Sequence, residues 1–141
     1  MIGKALDMPA DTVIEAAGKY LFPGGVDPHV HMSLPVAGTV SSDDFASGSA
    51  AALAGGTTTL VDFVHPERGH DFLEALAARR AEAAPAVCDH AFHMAVTWWG
   101  DGPREAIARL IRDEGVPTFK GYMAYKATVG IDDGEMLEAM A

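Results

Sequence analysis

The chain has 141 residues, 49% of them hydrophobic, and a formal charge of −10 from 10 Lys+Arg against 20 Asp+Glu. That composition is globular rather than disordered, and its acidity speaks against nucleic acid, whose phosphates are held by Lys and Arg. The length also falls short of a complete (β/α)8 barrel, which takes roughly 250 residues.

No run of 18 apolar residues occurs, and the charge-free stretch Phe45–Val61 is rich in small residues, Gly and Thr, so no membrane span is expected. The start, Met1–Asp11, lacks a basic region followed by an apolar one, so no secretory leader is expected. A single cysteine, Cys88, excludes an intrachain disulfide and fits a reducing, cytoplasmic compartment.

Four β-type runs alternate with helical patterns. The first strand is expected over Val26–Met32, entered through the turn Pro23-Gly24-Gly25. Ser41-Ser42 offers an N-cap, with Asp43 and Asp44 in the first turn of a helix ending at Gly55. The second strand is Thr57–Val64. It is followed by a helix over Asp71–Ala83 with Phe72, Leu73, Leu76 and Ala77 inward and Arg79, Arg80 and Glu82 outward. The third strand is Val87–Thr97. The next helix starts near Pro103, turns Ala106, Ile107, Leu110 and Ile111 to the core, and closes at Gly115. Thr118–Met123 is the fourth strand, and a last helix starts at Asp132-Asp133. Continuous apolar and β-branched runs suggest strands buried on both faces.

The strand ends Met32, Val64, Thr97 and Met123 are spaced by 32, 33 and 26 residues. A βαβ unit takes roughly 30 residues, so the fold class is α/β, with four consecutive β/α units and a parallel sheet. The spacing alone leaves half a barrel and a small open sheet both standing.

His29 and His31 are two apart at the end of the first strand and therefore leave the same face. Such a pair can hold one metal ion at adjacent coordination positions, or the two are ordinary loop histidines. Lys120 sits within an apolar strand, where desolvation favours a neutral amine. That amine can add CO2 to give a carbamate able to hold cations, or the side chain reaches out to solvent. Tyr125, in the loop leaving that strand, either donates to a developing oxyanion or packs. His65 either backs a metal ligand or is a plain loop histidine. His90 and His93 fall on opposite faces of the third strand and read as structural. Trp98-Trp99 is a packing corner or a pocket wall. No phosphate-cradling loop is present, nor a Ser or Cys nucleophile arrangement.

Together, Pro-Gly-Gly-Val-Asp-Pro-His-Val-His at 23–31, Ala-Ala-Leu-Ala-Gly-Gly-Thr-Thr-Thr at 51–59, Phe-His-Met-Ala-Val-Thr-Trp-Trp at 92–99 and Phe-Lys-Gly-Tyr-Met-Ala-Tyr-Lys at 119–126 resemble the dihydropyrimidinase/D-hydantoinase family of cyclic amidohydrolases. The resemblance implies that 23–141 is the first half of a (β/α)8 TIM-like barrel and that 1–22 is the remnant of a small N-terminal β-sandwich. It implies metal-assisted hydrolysis of a dihydropyrimidine or 5-substituted hydantoin to an N-carbamoyl amino acid. His29 and His31 would ligate one Zn2+, and carboxylated Lys120 would bridge two. Tyr125 would bind the substrate carbonyl oxygen and stabilise its oxyanion, while Leu34 and Val36 would shape the pocket for the ring substituent. Lys126 matches the family without a catalytic role. Two further His ligands and an acidic Asp would come from later barrel strands, past Ala141, so this chain would be a partial sequence, inactive alone. The expected partner is a small cyclic ureide or imide, with a homo-oligomer, a tetramer by the resemblance, when complete. The alternatives are a non-catalytic interaction protein of the same fold or an inactive truncated product. Met32, Ser33, Leu34 and Pro35 after the His pair favour an apolar ring substituent, where a dihydroorotase-like site would carry Arg and Asn.

Overall fold

The computed structural model describes residues 8–36 and 38–141. Residues 1–7, part of the expected sandwich remnant and of the stretch read for a leader, lie outside the described residues. Residues 8–24 are exposed and hold no helix or strand.

The four expected β/α units are present. Strands β1 (Gly25–Val30), β4 (Thr57–Val64), β5 (Asp89–Val96) and β6 (Phe119–Gly121) form one parallel sheet in the order β1-β4-β5-β6. Helices α1 (Phe45–Ala54), α2 (Phe72–Ala83) and α3 (Asp101–Arg112) connect successive sheet strands, and α4 (Asp133–Met140) follows β6. A short antiparallel pair, β2 (Pro35–Val36) and β3 (Thr39–Val40), interrupts the connection from β1 to α1. The sequence reading did not include it.

Burial on both faces holds only for the carboxyl halves of the central strands. Leu60, Phe63 and Val64 of β4 and Phe92, Met94, Ala95 and Val96 of β5 are buried. β1 is exposed along most of its length and β6 is half-exposed, because each has a sheet neighbour on one side only. The core between sheet and helices is closed by Phe72, Leu76 and Leu110, each no more than 1% exposed, and each worth roughly 1.5–3 kcal/mol of burial.

Three details of the helices differ from the sequence reading, the first being that Ile111 of α3, expected to face the core, is 47% exposed because Ala106 and Leu110 already fill the buried stripe. The N-cap of α1 is Asp44 rather than Ser41 or Ser42. Its carboxylate accepts from Ser47 N at 2.8 Å, while Ser47 Oγ accepts from Asp44 N at 3.1 Å, completing a reciprocal capping box. In α2 the inward stripe is Phe72, Leu76, Arg79 and Ala83, so Ala77 is exposed and Arg79 faces in. The 4-3-4 spacing of that stripe follows the helical repeat, and the buried carboxylate of Asp62 supplies the partner that lets a guanidinium occupy it. The expected helix at 132–133 is present, capped by Asp132 and Glu135 in a second capping box. Among the described residues no helix is long and apolar enough to cross a membrane.

Candidate metal centre

Parallel strands bring all their carboxyl ends to one edge of the sheet, where α/β proteins build their sites. His31, His65, Trp98 and Tyr122 follow the ends of β1, β4, β5 and β6 there. His29 lies in β1 and His31 just beyond it, and their Nε2 atoms approach to 3.2 Å. Lys120, on β6, donates from Nζ to His29 Nε2 at 3.4 Å. Residues 91 positions apart in the chain thus meet at one point.

The floor of this cluster is the buried ring of Phe63. Its centroid lies 4.6 Å from that of His29 and 4.9 Å from that of His31, and Lys120 Nζ sits 4.4 Å above it. The Tyr122 ring covers the same nitrogen from 4.7 Å. Two aromatic faces attract the ammonium while removing water from it. Behind the cluster, His93 Nε2–H donates to the Pro28 carbonyl at 2.9 Å. That bond fixes the tautomer, so Nδ1 accepts from the Thr118 hydroxyl at 2.5 Å. One side chain of β5 therefore ties β1 to the residue preceding β6. His93, which the sequence reading set aside as structural, is the brace between β1, which carries His29, and the start of β6, which carries Lys120.

His65 hydrogen-bonds Tyr122 through Nε2 at 2.7 Å, and its ring lies 5.8 Å from that of His31. Burial, reinforced by electrostatic repulsion from His31 in its protonated form and from Lys120, pushes His65 down to about 4. Burial also lowers the pKa of His31, opposed by the charge of Asp62. Both are neutral near pH 7, and for His31 that is the state a metal ligand requires.

Among the described residues, no three His, Cys, Asp or Glu side chains converge on a point. The pair that does converge fits a cation. A tetrahedral zinc with Zn–N bonds of about 2.0–2.1 Å places two ligand nitrogens about 3.3 Å apart, against the observed 3.2 Å. A protonated amine has no lone pair to offer a cation, whereas a carbamate on the Lys120 nitrogen would present two acceptor oxygens.

Tyr125 is 72% exposed on the loop after β6 and stands outside the His–Lys cluster. Its backbone is in the left-handed region, with φ of 60°, uncommon for a non-glycine residue and often kept at functional loops. The Tyr125 carbonyl accepts from Thr128 N, Val129 N and Gly130 N at 2.9, 3.2 and 3.0 Å, which holds the strained turn. Leu34 is half-buried and lines a cavity of about 440 Å³ with Ser33, His65 and Arg79, whereas Val36, on β2, is exposed. The Trp98-Trp99 pair is a packing corner. Trp98 stacks edge-on against Phe72 and donates to the His70 carbonyl at 3.2 Å, and Trp99 donates to Glu138 at 3.0 Å. Asp62 and Arg79 are buried behind His31; the sequence reading placed Arg79 on the outer face of its helix and did not single out Asp62. An aspartate in the apolar strand Thr57–Val64 was the available signal, since a buried carboxylate demands a partner.

No family model matches the chain. It is 44% identical to a dihydropyrimidinase of Rattus norvegicus, over 99% of this chain and 28% of the relative, and 40% identical to a D-hydantoinase of Geobacillus stearothermophilus, over 99% of this chain and 30% of the relative. Among solved structures, the dihydropyrimidinase from Brevibacillus agri NCHU1002 superposes with a TM-score of 0.94 at 38% identity, covering 99% of this chain and 30% of that one. The chain is thus related along almost its whole length to the dihydropyrimidinase/D-hydantoinase family and spans about 30% of the length of these relatives.

Proposed function

We propose that this relative of the dihydropyrimidinases and D-hydantoinases supplies one side of a metal-dependent site that hydrolyses cyclic amides. In this reading, residues 23–141 are the first half of a (β/α)8 barrel and 1–22 the remnant of a small β-sandwich. The observation that carries the reading is the meeting of His29 Nε2, His31 Nε2 and Lys120 Nζ over the Phe63 ring, at the carboxyl edge of the sheet.

His29 and His31 would hold a Zn2+ ion through their Nε2 atoms, and Lys120, once carboxylated, would offer carbamate oxygens to bound cations. Nζ adds CO2, forms an N–C bond and releases a proton, so the residue becomes a carbamate anion. The ions supply Lewis-acid polarisation of the ring carbonyl and activation of water. The remaining steps belong to the chain itself. Tyr125 donates its phenol proton in a hydrogen bond to the carbonyl oxygen as that oxygen gains negative charge. The strained turn at Tyr125 and its three N–H bonds fix where the phenol stands. Leu34 and Val36 form the apolar wall for the substituent of a dihydropyrimidine or 5-substituted hydantoin, which opens to an N-carbamoyl amino acid. The rest of the ligand set and the acid that protonates the leaving nitrogen come from later barrel strands of the whole protein. The whole protein assembles as a homo-oligomer, and the lone, half-buried Cys88 suits the cytoplasm.

The direct test is the change Lys120→Ala in the full-length protein. Zinc content is expected to fall from two ions toward one or none, and dihydrouracil hydrolysis is expected to drop by roughly three orders of magnitude or more, the scale on which metal activation of water acts. Unchanged zinc and unchanged hydrolysis would refute the assignment.

A further inference from the structure

We infer that Asp62 and Arg79 form a positioning clamp that aims the His31 imidazole by fixing both backbone polar groups of the next residue, Met32. The inference rests on the metal-site reading above. Asp62 is fully buried and Arg79 has only 13% of its side chain exposed. Their ion pair spans 2.8 Å between Arg79 Nη2 and Asp62 Oδ1, with Arg79 Nε adding a second bond to the same oxygen at 3.3 Å. The other carboxylate oxygen accepts from Met32 N at 2.8 Å, and Arg79 Nη2 also donates to the Met32 carbonyl at 2.6 Å. The pair therefore grips one residue by its N–H and its C=O, in the two successive peptide groups that flank its Cα. An Asp–Arg pair that served the core alone would have no need to reach the connection after β1.

The need for such a grip lies in His31 itself. A ligating histidine is normally oriented through its second ring nitrogen, which donates to a carboxylate or carbonyl. His31 Nδ1 is buried and has no partner among the described residues. Its ring direction must then come from the backbone, and the backbone is tied at successive residues. Ser41 Oγ donates to the His31 carbonyl at 3.3 Å and accepts from Leu34 N at 2.8 Å. Ser33, at a left-handed φ of 47°, donates from N to the Asp43 carbonyl at 2.7 Å. Within that turn, Met32 is the residue held by charges, and charge-assisted bonds are the stronger kind. The Met32 side chain is buried beneath, against the glycine gap at Gly48 of α1. The Arg79 guanidinium, 4.7 Å from the Phe45 ring, reaches it from α2. Arg79 is suited to this because its planar fork bonds a carboxylate and a carbonyl together, which the point charge of a lysine does not reproduce.

The test compares Arg79→Lys and Asp62→Asn with Leu110→Ala, a core change in α3 remote from the turn, in the full-length zinc-loaded protein. Zinc loss to a chelator and amide exchange at Met32 in the metal-free form are both measured. The clamp predicts that Arg79→Lys releases zinc about 10- to 100-fold faster, with faster exchange at Met32 and activity recovered by excess zinc. Leu110→Ala should lower thermal stability and leave zinc release near the wild-type rate. If Arg79→Lys does not fold, Asp62→Asn, which keeps the shape and loses the charge, is expected to show the same acceleration. Zinc release unchanged in the clamp variants, or equally fast in Leu110→Ala, overturns the clamp while leaving the metal site standing. A full-length wild-type protein that holds no zinc overturns the metal reading and the clamp with it.

Discussion

His29 and His31 were legible from the sequence because a period of two puts both rings on one face, and that needs no knowledge of the rest of the fold. Lys120 and Tyr125 were legible only as oddities, a cation in an apolar strand and a phenol just after it. Asp62 and Arg79 were not legible as a pair. A carboxylate hidden in β4 and a guanidinium on a helix 17 residues later satisfy each other only in three dimensions, and Arg79 on its own reads as surface. Tyr125→Phe removes one hydroxyl from an exposed side chain. The full-length variant is expected to keep its zinc and its thermal midpoint while losing about 10²–10³-fold in kcat, the usual cost of one oxyanion donor. A loss expressed in KM with kcat intact would place Tyr125 in binding alone. At His65 the relevant quantity is pH. Its folded pKa, about 4, lies below the ordinary 6.5, so protonation favours the unfolded chain. The stability held by neutral His65 is complete above about pH 6.5 and drains away as pH falls toward 4. With solvent screening of a partly exposed ring, the loss amounts to about 1–2 kcal/mol. Urea midpoints of the metal-free protein across pH 7 to 4 should show this slope, and His65→Gln should flatten it.

At the scale of elements, the order and number of β/α units were correctly expected, and the errors fell at element ends, in the missed β2–β3 pair and in which side chains face the core. The cap of α1 moved from Ser41-Ser42 to Asp44 because Asp44 and Ser47 satisfy each other's backbone donors at once, and Ser41 is engaged with the turn at His31 and Leu34 instead. β6 is half the expected length, since Tyr122 and the residues after it fold into the Tyr125 loop. Three N–H groups converging on one carbonyl leave no sequence signature beyond the glycine that closes the turn. A Cβ at Gly130 would stand 2.3 Å from the Ala124 carbonyl oxygen and 2.8 Å from Lys126 N, both rigid backbone. Gly130→Ala must therefore displace the loop that carries Tyr125. The expected result is full zinc content with kcat reduced about tenfold or more, since small misplacements of a positioned group cost on that scale. Unaltered kcat would show that the loop's fine position does not matter.

For the whole molecule, the sheet order β1-β4-β5-β6 sets the strands that carry His29 and Lys120 at opposite edges of one four-stranded parallel sheet. Curvature of the sheet lets Lys120 reach His29 across two intervening strands, and His93, on the strand between, braces the arc. A spacing of about 30 residues between strand ends supports β/α units but carries no information on curvature, and so left a half-barrel and an open sheet equally open. The chain matches about 30% of each relative's length, and the complete ligand set, the substrate's outer contacts and the assembly are proposed for the whole protein. The most direct measurement is hydrolysis of 5,6-dihydrouracil and hydantoin by the full-length protein, wild type against the double change His29→Ala/His31→Ala, after chelation and after return of Zn2+. Ring opening that is lost on chelation, restored by zinc in the wild type, and absent in the double variant under both conditions is the predicted result. Hydrolysis that survives chelation, or that zinc restores in the double variant, would contradict the placement of the metal centre on this histidine pair.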